Sequence, residues 1–285
     1  MRFFFVCLLL GVWPLSEAFA QRVRELPSQE EIATTFRDTD GTADAHDHAI
    51  VYAKSIPHEQ WTPALRSAIL YSLENEIRLD KEAIQAGVQR WYDEPASVFL
   101  SELAVVMQDP AAIPLLVQVP MGFLEESALA NFGRQAFPEV LRVARAPNDA
   151  DYYAVRSCLI TLRVMVQQWG LGYFTPQERA QLKAVVALYV SPTTPPIRAD
   201  WSYVRINATV NYAAQLGLVL EGVEIREWVE RLVTSREAFE ESTGGRLDAY
   251  TEKMLKQDLD GGPMLPVVKP LSVYLRGLGW VSGYK

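Results

Sequence analysis

The sequence predicts an all-α fold in which helix hairpins stack into an α–α superhelix, an open arc. The first observation is a helix-opening motif that returns. Ala150-Asp151-Tyr152-Tyr153-Ala154-Val155-Arg156 recurs 49 residues on as Ala199-Asp200-Trp201-Ser202-Tyr203-Val204-Arg205, a shared A-D-aromatic-x-x-V-R. The second is another pair, Ala112-Ile113-Pro114 and Ala136-Phe137-Pro138, 24 residues apart and each followed by aliphatic residues. The third is the scarcity of strand patterns beside abundant helix caps. Motifs that open helices and return at such periods mark units that bury their apolar faces on one another.

The elements follow from local signals. Ser28-Gln29-Glu30-Glu31 is a capping box for a short helix carrying Ile32 and Phe36. The polar run from Arg37 to His48 reads as a loop or a frayed start. Thr62-Pro63 supplies an N-cap and a first-turn proline for a helix to about Arg78, with Leu65, Ile69, Leu73 and Ile77 on one stripe. Asp80 is expected to cap a new helix carrying Ile84, Val88 and Trp91, and Glu94-Pro95 another. Asp109-Pro110 opens the first A-x-P unit, and an amphipathic run over 124–132 leads to the second. Asp151 is expected to cap a run to Trp169, which Gly170 and Gly172 stop. Thr175-Pro176-Gln177-Glu178 is a second capping box, with its helix running to Tyr189. Asp200 is expected to open the next helix, ending at Gly217. A helix with Val223, Trp228 and Leu232 continues towards Phe239, Gly244-Gly245 breaks it, and Leu247 to Leu259 forms the last.

Composition bounds the setting. Met1-Arg2, the apolar run Phe3 to Trp13 and Ala18-Phe19-Ala20 read as a signal peptide over residues 1–20, directing the chain to the periplasm or secretion. Residues 21–60 are then an N-terminal helix and polar loop, 61–260 the helical repeat domain, and 261–285 a C-terminal capping tail. A net charge of −8 argues against phosphate backbones and anionic lipid as partners. Past the leader only Cys158 remains, among Val155, Leu159 and Leu162, so neither an intrachain disulfide nor a cysteine-based zinc site can form.

Gly133-x-x-Ala136-x-Pro138-x-Val140-Leu141, followed by Asp151-x-x-x-Val155-Arg156, is similar to HEAT/armadillo-like helical repeats. The resemblance covers mainly residues 109–233. It implies a scaffold or binding role, since most such arrays lack catalytic residues of their own, while some relatives are lyases or enzyme subunits. Five positions separate Asp from Arg in each copy, about 140° around a helix. The pair is therefore expected to meet between neighbouring units, as a ladder.

Motifs for chemistry are few. The histidines are His46, His48 and His58, all before the repeats. His58-Glu59-Gln60-Trp61-Thr62 lacks the second histidine of a zincin. The acidic stretch around Asp38, Asp40 and Asp44 fails as an EF-hand, because Ala49 stands where a glutamate is needed. No dinucleotide, phosphate-loop or nucleophile-elbow pattern is present. Neither a catalytic set, a metal nor a cofactor is expected. Glu125-Glu126 and Glu240-Glu241 each point about 100° apart and read as solvated faces.

Aromatic residues near helix ends or on second helices, with arginines beside them, are the candidate binding surface: Arg66, Trp91, Tyr152, Tyr153, Arg156, Trp201, Tyr203 and Arg205. Such a wall can hold a protein or peptide, or a glycan, by stacking and polar contacts. The reading is an exported non-catalytic scaffold with a protein or peptide partner. An α/α-type carbohydrate-active enzyme and a structural envelope component are the rivals.

Overall fold

A computed structural model describes residues 26–39, 43–87, 96–119, 129–146, 152–193, 201–220 and 222–262. Every regular element among them is helical. Among the described residues no helix is long and apolar enough to cross a membrane.

Helix α1 (Gln29–Arg37) starts on the expected capping box: the Ser28 hydroxyl accepts from the Glu31 N–H, and the Ser28 N–H donates to the Glu31 carboxylate at 2.7 Å. Helix α2 (Ala43–Ser55) occupies much of the stretch expected to be loop. It forms because Ala49, Ile50 and Ala53 make a buried stripe where α2 packs on α1 and on α4. Helix α3 (Pro63–Gln85) is capped by Thr62 and runs unbroken through Asp80. Asp80 is therefore not a cap. It sits buried beside Glu76 on the inner face of α3. Helix α4 (Ala96–Met107) packs on α3, and Lys54 of α2 pairs with Glu102 of α4 at 2.6 Å.

The A-x-P copies fold alike. Helix α5 (Ile113–Leu116) and helix α6 (Phe137–Ala144) each follow a 3-10 turn, Pro110–Ala112 and Gly133–Gln135, and each carries its proline in the first turn, where the missing N–H costs nothing. Helix α7 (Tyr152–Trp169) ends at Gly170, whose φ is +70°. Helix α8 (Pro176–Val190) opens on the Thr175–Glu178 capping box. Helix α9 (Tyr203–Val219) is capped by Ser202, whose hydroxyl accepts from the Arg205 N–H, so the second motif starts its helix two positions later than the first. Helix α10 (Val223–Thr234) does not continue to Phe239. Ser235 turns extended at φ −138° and caps the separate helix α11 (Arg236–Thr243), accepting from the Ala238 N–H at 3.1 Å. Helix α12 (Ala249–Gly261) follows the Gly244 break.

Packing sorts the later helices into two layers. Helices α7, α9 and α12 lie side by side, with α6, α8 and α10 against them; α8 touches α6 on one side and α10 and α11 on the other. Helices α7 and α9 run parallel, because Tyr152 meets Trp201 at their starts and Arg163 meets Gln215 towards their ends. The same holds for α9 and α12, where Asn207 accepts from the Asp248 N–H and Gln215 donates to Asp258. Gly217 lets α9 close on the other layer: a Cβ there would strike Ile225 of α10 and come within 2.8 Å of Val186 of α8. One apolar core runs from Ile32 to Leu259. Residues 21–60 and 61–260, set apart on sequence grounds, share that core as far as they are described. The leader and the tail beyond residue 262 lie outside the described residues.

Candidate binding site of paired helix starts

Because α7 and α9 are parallel neighbours, the described parts of the two motif copies, from Tyr152 and from Trp201 onward, come together at one end of the layer. Tyr152 packs edge-on against Trp201 at 5.7 Å between ring centroids, and Tyr153 against Tyr152 at 5.0 Å. Arg205 lays its guanidinium over both tyrosines, at 5.5 Å and 5.8 Å from their centroids. One turn along α7, Arg156 sits 5.4 Å from the ring of Tyr212. Four of the eight nominated residues thus form one cluster, and Arg156 adjoins it.

Exposure divides this cluster by role. Trp201 is 6% exposed, so it is the footing under Tyr152 and offers no face to a ligand. Tyr152 and Tyr153 are half-buried, while Tyr203 and Val204, at 57% and 55%, stand in solvent on the first turn of α9. Burial pushes the Tyr152 phenol up, against the opposing pull of Arg156 and Arg205, so it stays a neutral hydrogen-bonding group at physiological pH. Arg205 has ring contacts but no hydrogen-bond acceptor for its side chain among the described residues. A guanidinium held against two rings is preorganised for a carboxylate or carbonyl.

Arg66 sits elsewhere. It reaches the carbonyls of His58 at 2.9 Å and Trp61 at 3.3 Å, tying the turn before α3 to its helix. Its work there is structural. Trp91 lies outside the described residues, as do Asp151 and Asp200, and with them the carboxylate half of the expected ladder. Among the described residues no group of three His, Cys, Asp or Glu side chains is arranged to hold a metal. Cys158 is buried on α7.

Two features were not anticipated. Tyr212, two turns beyond Arg205, is the partner of Arg156. Asn207 of the Asn207-Ala208-Thr209 sequon is buried, and its amide donates to the Tyr203 and Arg246 carbonyls at 2.6 Å and 2.7 Å. A separate groove of about 800 Å³ lies along α3, lined by Tyr71, Arg78, Lys81, Glu82 and Leu115. Its cations are held locally, Arg78 by Glu82 at 2.7 Å and Lys81 by Gln118 at 3.0 Å. Compared with known proteins, the chain matches no family model, no curated protein and no solved structure.

Proposed function

We propose that the chain is an exported, non-catalytic scaffold of HEAT/armadillo-like type that binds a protein or peptide partner at the joined starts of α7 and α9. One observation carries this reading: Arg205 rests on Tyr152 and Tyr153 with no acceptor for its side chain among the described residues, next to exposed Tyr203 and Val204. An aromatic platform beside an arginine is the composition of interface hot spots. Apolar side chains of a partner would lie on Tyr203 and Val204 while its carboxylate or carbonyl takes the Arg205 fork. Parallel side-by-side helices give such a surface rigid footing, as a scaffold requires.

The test is affinity capture from the organism's own envelope extract with the wild-type chain and with Arg205→Ala and Tyr153→Ala. One stoichiometric protein held by the wild type and lost from both variants supports the reading. Equal capture by all three sinks this site. Turnover of a glycan without any captured protein would favour the carbohydrate-active alternative.

A further inference from the structure

Charge is distributed unevenly along the fold. Residues 129–146 and 152–193 carry seven basic and two acidic side chains, although the whole chain has a net charge of −8. Residues 222–262 carry ten acidic and six basic ones. The basic block includes α6 and α8, and the acidic block includes α10 and α11. These blocks are neighbours in space, because α8 packs against α10 and α11.

The outer surface of α8 is shaped for contact. Gln177, Ala180 and Ala184 are exposed along its ridge, which is low and uncharged. A groove of about 460 Å³ runs on one flank over Phe137, Pro138 and Leu141, lined also by Arg142 and Arg145 and by Glu178, which Arg134 answers at 2.9 Å. A groove of about 380 Å³ lies on the other flank, with Arg179 and Lys183. Arg142 is held by Glu139 at 2.6 Å, whereas Arg145 and Lys183 are exposed with no acidic partner among the described residues. On the acidic side Arg226 pairs with Glu230 and Arg231 with Glu241, while Glu224, Glu227 and Glu240 are exposed with no cationic partner among the described residues.

We propose that this face binds a second copy of the chain, the α6–α8 grooves of each protomer receiving the acidic α10–α11 surface of the other. A basic and an acidic patch side by side on one face are self-complementary. Rotation about a two-fold axis lying between them in the interface plane sets each patch on its opposite, twice over. The contact therefore closes as an isologous dimer and does not propagate. Small side chains on the α8 ridge allow close approach, and exposed Val223 at the start of α10 supplies an apolar edge. Such a polar interface gives a weak dimer, with a Kd of roughly 10 µM.

Sedimentation velocity on the purified chain tests this. At about 0.1 M salt the Debye length is about 10 Å, which screens whole-molecule repulsion but spares close pairs; at about 1 M it is about 3 Å. A dimer is expected at the lower salt and a monomer at the higher. Arg145→Glu with Lys183→Glu, or Glu224→Lys with Glu227→Lys, should each weaken association at least about tenfold. All four changes together should restore it. All four positions are exposed, and unchanged circular dichroism verifies the fold of each variant. A chain monomeric at about 0.1 M salt, a dimer indifferent to salt, or charge reversals without rescue would each overturn the proposal. So would a monomer that instead binds polyglutamate on this face, which would assign the grooves to another protein's acidic segment.

Discussion

Arg163 on α7 and Asp258 on α12 are joined through the side chain of Gln215 on α9, which accepts from the guanidinium and donates to the carboxylate at 2.9 Å. All three are buried. One amide thereby ties the register of three parallel helices: sliding α9 by a turn, about 5.4 Å, breaks both bonds, and sliding α7 or α12 breaks one. Hydrogen bonds to charged groups in the interior are among the stronger ones.

Gln215→Leu keeps the volume and removes both bonds. It is expected to cost about 2–4 kcal/mol, since each bond to a charged group is worth about 1.5–3 kcal/mol and the new apolar contacts offset part. Urea unfolding measures it. A variant as stable as the wild type would show that the link fixes nothing.

Gly217→Ala reverses the usual sign of its class. On an open helix surface, alanine gains about 1 kcal/mol over glycine. Here the added methyl meets Ile225 and, at 2.8 Å, Val186. Overpacking of that kind costs about 1–3 kcal/mol, so the melting temperature should fall. Adding Ile225→Ala should recover part of the loss in a double-mutant cycle.

Footing and contact surface separate at the α7–α9 start. Trp201→Ala should cost about 3–5 kcal/mol, as for other buried aromatics. Arg205→Ala should change stability by less than about 1 kcal/mol, because its ring contacts are partly solvated. Calorimetry on the two variants decides it, and comparable losses would make Arg205 part of the core.

Acid acts through the capping boxes. The Thr175 backbone N–H, helped by its hydroxyl and by Arg134, holds the Glu178 carboxyl below the usual carboxylate range. A folded value below the unfolded one, about 4.3, contributes stability that is present above the unfolded value and lost as pH falls through the folded one. Glu178→Gln can still make the box but carries no charge. Its melting temperature should lie below that of the wild type at about pH 7, and the gap should narrow as pH falls below the unfolded value. A gap that persists in acid would assign the effect to packing.

Caps were legible because they are local. Ser28 with Glu31, Thr62 with Pro63, and Thr175 with Glu178 satisfy helix ends within four residues, so the pattern carries its own proof. Asp80 shows where that ends: an aspartate serves equally as a cap or as a buried polar group, and only the neighbours of α3 decide. The repeat marked Tyr152, Tyr153, Trp201 and Arg205 as equivalent positions, but not that Trp201 lies beneath Tyr152. Exposure depends on helix direction, which no spacing states. The Arg163–Gln215–Asp258 line was missed because its members lie 52 and 43 residues apart and share no period.

The enclosed amide of Asn207 bears on where this chain can be produced. In a host that attaches sugars to nascent polypeptides, Asn207-Ala208-Thr209 would be modified before α9 meets the Arg246–Asp248 turn. A bulky sugar there would hold α12 away from its seat. Yield from such a host should drop, with the surviving material heavier by a glycan and readily cut by protease after residue 243. Thr209→Ala made in the same cells would escape the sugar and keep its last helix in place.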